Sequence, residues 1–198
     1  MFDPIPPMDE SFDMHFYILT EDASQWPLID YATVVNNDLT SLKALIAKHT
    51  DYMDVLLVCA SLEKANIEVI EQLQEQFRIV LHFSLESEYL TEGQQVIAEL
   101  CWAAYHSHNF DILDADSLLN GVLPIRVANE KMIHNGWKNP QKSQTLYLFL
   151  HKFECATEGQ IEHFQVEACQ AFQVDSVAAI SFGDSKKQDA CHYSVLAI

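Results

Sequence analysis

Nine histidines and five cysteines are the side chains of this 198-residue chain best suited to hold a metal ion or to act as nucleophiles. His106 and His108 stand two apart, which suits one face of a strand and not one face of a helix. No nearby Cys or second His pair completes a site with them. The plainer reading is a pair of histidines at a helix C-terminus, where the helix dipole favours them. His82, His134, His151, His163 and His192 are scattered, and a cluster in space stays open. The run Asp111-x-x-Asp114-x-Asp116-x-x-x-Asn120-Gly121 looks like a calcium loop. Leu118 takes a ligand position there, and Pro124 stands near the end, where such a loop needs a distal Glu. Cys59, Cys101, Cys155, Cys169 and Cys191 are odd in number and make no C-x-x-C pair. That is the pattern of reduced, partly buried thiols, with a reactive thiol as the alternative. No G-x-G-x-x-G, G-x-x-x-x-G-K-[ST] or G-x-S-x-G occurs, and five glycines in all cannot build a phosphate cradle from one loop. No catalytic set, metal site or cofactor is therefore expected.

The elements that would carry these residues follow from hydrophobic periodicity. His15–Leu19, Tyr31–Val35, Val55–Ala60 and Arg78–Phe83 read as strands, and Val55–Ala60 is apolar throughout, as a strand covered on both faces must be. Glu21–Asp30 reads as a loop or short helix. Asp38 or Thr40 caps a helix that buries Leu42, Leu45 and Ile46, and Ser61 caps a second that runs to about Gln76. A third helix, about Thr91 to His106, buries Val96, Ile97 and Leu100, with Trp102 as a further candidate. Phe110–Leu113 is a short strand. Strand–helix alternation predicts an α/β fold with a mostly parallel sheet flanked by helices in this first part.

Asn120–Gln144 is punctuated by Gly121, Pro124, Gly136 and Pro140, and reads as a connector with one short helix around Val127–Ile133. After it come a strand (Thr145–Phe153), a helix (Glu158–Phe172) and two strands (Ser176–Phe182 and His192–Ile198), which read as a smaller α+β subdomain. The expected division is a flexible lead at 1–13, a Rossmann-like part at 14–123, a connector at 124–144 and a C-terminal subdomain at 145–198.

Composition bounds the function. The chain is 49% hydrophobic and 20% charged, with 11 basic and 29 acidic residues and a formal net charge of −18. A surface so acidic does not suit nucleic acid or an anionic membrane, both of which want clustered Lys and Arg. No apolar run approaches the ~20 residues that span a bilayer. The acidic, proline-rich start lacks the basic and apolar regions of a signal peptide, so the cytoplasm is the expected location.

The order of segments resembles that of FtsZ, the bacterial relative of tubulin. Ala32–Leu42 is similar to the family's second strand and its N-T-D loop, with Asn36 and Asp38 matching and Asn37 in place of the Thr. Asp54–Ala60 resembles the strand that leads into the phosphate loop. Thr91-Glu92-Gly93 resembles the F-E-G segment, and Phe110–Leu119 resembles the D-x-L-I-V-I-x-N-D-x-L-L segment. Thr145–Ile198 follows the order of the family's C-terminal domain. Together these segments cover most of the chain.

The departures fall on the nucleotide site. Where the family has G-G-G-T-G-T-G, this chain has Ser61-Leu62-Glu63-Lys64-Ala65-Asn66. Thr20-Glu21-Asp22-Ala23 replaces the glycine-rich turn after the first strand, and Val96 stands where the family has an Arg. The N-x-D-x-x-D catalytic loop has no counterpart. What remains of the nucleotide site is Asn36, Asp38 and Glu92, each with a structural role as the plainer alternative: turn and cap geometry for the first two, a helix start for the third. The resemblance implies a shortened, degenerate member of the FtsZ/tubulin-like family, a pseudo-GTPase. It would work by protein–protein interaction, with FtsZ itself or as a homodimer, in cell division or filament regulation. A small-ligand- or metal-binding enzyme on an unrelated α/β fold is the alternative.

Overall fold

The computed structural model describes residues 14–48, 54–59, 72–73, 75–77, 79–106, 124–151, 157–183 and 193–197. Eight strands form one sheet: β1 (Phe16–Thr20), β2 (Ala32–Asn36), β3 (Val55–Val58), β4 (Ile79–Ser84), β5 (Ile125–Asn129), β6 (Leu146–His151), β7 (Ala179–Gly183) and β8 (Tyr193–Ala197). Their order across the sheet is β2-β1-β3-β4-β5-β8-β6-β7. The first five run parallel, and β6 and β7 are parallel to each other. Only β8 runs against its neighbours, threading between β5 and β6.

The central strands carry side chains to two cores. From β1, Phe16 and Ile18 enter one core while Tyr17 and Leu19 enter the other, and β3 divides Val55 and Leu57 from Leu56 and Val58 in the same way. This is why neither strand shows a polar alternation. Helix α1 (Leu39–Ala47) closes one face with Leu42 and Leu45, joined there by Leu73 and Phe77. Helix α2 (Leu90–His106) closes the other with Val96, Ile97, Leu100, Cys101 and Ala103. Farther along the sheet, helix α3 (Glu130–His134) adds Met132 and Ile133, and helix α4 (Glu158–Phe172) lays Phe164, Ala168, Ala171 and Phe172 over Leu146, Leu148 and Val195. The result is a mixed α/β sheet with helices on both faces.

Local chemistry sets the helix ends. The Asp38 carboxylate accepts from the backbone N–H groups of Thr40 and Ser41 and starts α1. Thr157 and Gln160 form a reciprocal capping box at α4. Gly93 lets α2 approach the sheet, since a Cβ there would come within 3.0 Å of Leu85 and 3.7 Å of Val127.

One element departs from expectation. The helix placed around Val127–Ile133 begins only at Glu130, because Ile125–Asn129 is strand β5, hydrogen-bonded between β4 and β8. The stretch read as a connector thus supplies an interior strand. Its four buried positions are interrupted by half-buried Arg126, and Asn129 ends it by capping α3. The lead at 1–13, the start of the Ser61 helix, the Phe110–Leu113 strand and the acidic run at 111–121 lie outside the described residues.

Candidate functional site

A 2-1-3-4-5 strand order reverses direction between β1 and β3, and in such sheets ligands bind outside the carboxyl ends of the strands at that point. The loop after β1 is residues 21–31. Asp22 takes a hydrogen bond from the Ser24 N–H at 3.0 Å, from the Ser24 hydroxyl at 2.6 Å and from the Gln25 side-chain amide at 2.9 Å. Its neighbours are equally engaged. The Ala23 N–H donates to Asn36 Oδ1 at 2.7 Å, the Gln25 N–H to the Asp22 carbonyl and the Trp26 N–H to the Ala23 carbonyl. Every backbone donor from Ala23 to Trp26 therefore has an acceptor within this chain.

The N-terminus of α1 is closed in the same way. The Asp38 carboxylate accepts from Thr40 N–H at 3.0 Å, Ser41 N–H at 2.9 Å and the Ser41 hydroxyl at 2.7 Å. These bonds hold the Asp38 carboxyl below its ordinary pKa, the Ser41 backbone bond contributing most; the Ser24 hydroxyl, its backbone N–H and Gln25 do the same for Asp22. Both carboxylates stay charged through the neutral range. Among the described residues, the backbone donors of Ser24, Thr40 and Ser41 are thus already met by the chain's own carboxylates.

Asn36 and Asp38, singled out in the sequence, thus meet at this edge, one holding the β1 loop and the other starting α1. Glu92 is half-buried in the first turn of α2, where a carboxylate favours the helix start. Ser61–Asn66, the segment in place of the glycine-rich phosphate loop, lies outside the described residues. Asn37 stands between the two partners, and both polar atoms of its side chain are shielded from solvent with no hydrogen-bond partner.

Among the described residues the histidines do not converge. His134 Nε2 lies 3.1 Å from Glu167 and His163 Nε2 lies 3.6 Å from it, at the surface. His82 is half-buried in β4, where burial lowers its pKa. Among the described residues no three His, Cys, Asp or Glu side chains are grouped to hold a metal ion. Burial pushes the Cys59, Cys101 and Cys169 thiols up, so they remain protonated, the inert form. Cys155, Cys191, His108 and His192 lie outside the described residues.

Two features escape a reading of the sequence. Glu86, after β4, accepts from the Trp137 indole N–H at 3.1 Å and lies 3.9 Å from the Arg126 guanidinium, tying the turn before α2 to β5 and to the segment after α3. The other is a groove of about 540 Å³ between the β1–β2 loop and α2, bordered by Trp26, Ile29, Asp30, Gln94, Glu99 and Trp102. Its walls come from two stretches, residues 25–30 and 91–102, brought together by packing on one face of the sheet. The only local signal was the aromatic character of Trp26 and Trp102.

No known family model matches the sequence, and no curated protein matches it. Among solved structures the chain is similar to a tryptophan-to-tyrosine mutant of FtsZ from M. jannaschii. The TM-score is 0.47 and the identity 9%, over 93% of this chain and 89% of that one. It is also similar to an empty FtsZ dimer from M. jannaschii, with TM-score 0.47 and 10% identity, over 92% of this chain and 86% of that one. No helix among the described residues is long and apolar enough to cross a membrane.

Proposed function

We propose that this chain is a non-catalytic, FtsZ-like protein that binds no GTP and acts by protein–protein contact, with FtsZ or with its own copies, in filament regulation. The observation that carries the reading is Asp22, which stands in the turn after β1 where the family has glycines and whose carboxylate occupies the backbone donor of Ser24. A nucleotide triphosphate brings about four negative charges and needs free donors and a cation to offset them. Support for a protein partner comes from the opposite quarter. Of the four large apolar side chains exposed among the described residues, Leu28, Tyr31 and Leu39 flank β2, the last strand of the described sheet on that side. An edge strand presents unpaired backbone groups to a partner.

Calorimetry with GTP or GDP and Mg²⁺ tests the first half: no binding is expected, and micromolar affinity would overturn it. Sedimentation of the purified chain, alone and with FtsZ filaments at low salt, tests the second. Self-association or co-pelleting that weakens in the Leu28→Asp, Leu39→Asp double variant is expected. A monomer that leaves filaments untouched defeats the reading.

A further inference from the structure

A parallel pair of strands needs a crossover of a dozen or more residues, usually a helix that covers the sheet face. Between β1 and β2 there are only residues 21–31, with one 3-10 turn at Ala23–Gln25. The loop is tight enough to place Tyr31 at φ 62°, left-handed backbone that a bulky residue rarely adopts. It packs Trp26 and Ile29 onto the core beneath α2 but cannot fill the space a helix would take. The groove of about 540 Å³ is what remains, and its size is that of a small-ligand site.

The chemistry of the walls is one-sided. Trp26 and Trp102 supply indole rings, Ile29 and Ala98 supply aliphatic surface, and Asp30 and Glu99 supply carboxylates; among the described residues no Lys, Arg or His lines the groove. Glu99 is only 7% exposed, unusual for a carboxylate on a helix. Gln94 is 5% exposed and its side-chain Nε2 has no hydrogen-bond partner; as a donor it takes no part in holding a cation. Aromatic faces beside carboxylates attract a cation twice, through the ring quadrupole and through charge.

We propose that this groove binds a small organic cation with an apolar ring, of the aryl-alkyl-ammonium class, its ring against Trp26 and Trp102 and its ammonium toward Glu99 and Asp30. The groove shares Leu28 with the exposed surface beside β2, and ligand binding to the purified chain is read without any protein partner.

The test uses the full chain and four probes: phenethylammonium, the neutral phenethyl alcohol, the anion phenylacetate and the ringless ethylammonium. Tryptophan fluorescence and calorimetry are read at about 150 mM salt, where diffuse attraction to the acidic surface is screened. Phenethylammonium is expected to saturate the signal, with the alcohol and ethylammonium each binding about tenfold or more weakly and phenylacetate weakest. Glu99→Gln should erase the preference for cation over alcohol, and Trp102→Ala should weaken both. If Glu99→Gln fails to fold, Asp30→Asn, at an exposed position, should lower cation affinity about threefold and leave the alcohol unchanged. The proposal is overturned if phenylacetate or the alcohol binds as tightly as the cation. Equal binding of ethylammonium, or no saturation below about 10 mM, also defeats it.

Discussion

The carboxyl edge of β1 and β2 and the groove beside α2 share one loop, residues 21–31, and treat polar groups in opposite ways. At the edge, Asp22, Asn36 and Asp38 answer the backbone donors around them. In the groove, a buried carboxylate, a buried amide without a partner for its Nε2 and two indoles face a shared space. The same short crossover produces both. It folds back on Asp22 and Asn36 at its start, and it is too short to cover α2 at its end.

Trp26 belongs to both regions. Its ring is 9% exposed in the core under α2, and its indole N–H donates to Thr20 Oγ1 at 2.9 Å. Trp26→Ala is expected to lose about 3–5 kcal/mol by urea denaturation, since it empties a large buried volume. Trp26→Phe keeps much of the packing, loses the hydrogen bond and should cost about 1–2 kcal/mol. Equal losses would mean that the bond and not the packing joins the loop to the sheet.

Asn37 is where the closed edge is incomplete. Its side-chain amide is shielded from solvent and bonded to nothing, so removing it removes a desolvation cost. Asn37→Ala should leave stability unchanged or raise it by about 1 kcal/mol, against the usual trend for truncating a shielded side chain. A loss greater than about 1 kcal/mol would show that packing of the amide outweighs its unpaired atoms.

Acid separates the edge from the interior of the sheet. His15 and His82 have pKa values held below their ordinary 6.5, His82 by burial and His15 by burial and then by Lys48, with Asp54 opposing. The unfolded rings take up protons first, so their contribution is complete above about pH 6.5 and falls as pH drops through the lower folded values. Asp22 and Asp38 are held below 3.8, so their contribution persists above about pH 4 and is lost only as pH falls further, through their own folded values. Urea midpoints between pH 7.5 and 3 should therefore fall in two stages. His82→Gln should flatten the first stage, and the Asp22→Asn, Asp38→Asn pair the second. A first stage unchanged in His82→Gln would place its origin elsewhere.

Local chemistry was legible and long-range chemistry was not. Asp38 before an apolar helix face, the apolar run Val55–Val58 and the Thr157 box each carry their reason within a few residues, and α4 runs over the span its periodicity predicts. The closed edge was half legible. Asp22 could be seen as a carboxylate in the wrong place for a phosphate, but not as the acceptor for its own loop, because that depends on the 3-10 turn and on Asn36 reaching back to Ala23. Strand β5 hid because Arg126 breaks its apolar pattern and Asn129 reads as a helix start, while its place between β4 and β8 comes from distant strands. The groove was invisible for the same reason: Trp26 and Trp102 carry no sign that they face one space.

The smallest effect bears on how the two regions are joined. If the crossover opens the groove because it is short, its strain should gather where it turns into β2, and Tyr31 is that residue, with φ 62°. An Asn tolerates left-handed backbone better than a Tyr does, by about 1 kcal/mol or less. Against this, Tyr31→Asn gives up a tilted ring contact with Trp102 at 6.4 Å, near the outer limit for such pairs, and the Tyr is 43% exposed. The net result expected by urea denaturation is a gain of about 0.5 kcal/mol, with the groove intact by phenethylammonium titration. A clear loss of stability would mean that the Tyr31–Trp102 contact holds the loop against α2. The groove would then owe its shape to aromatic packing and not to the length of the crossover.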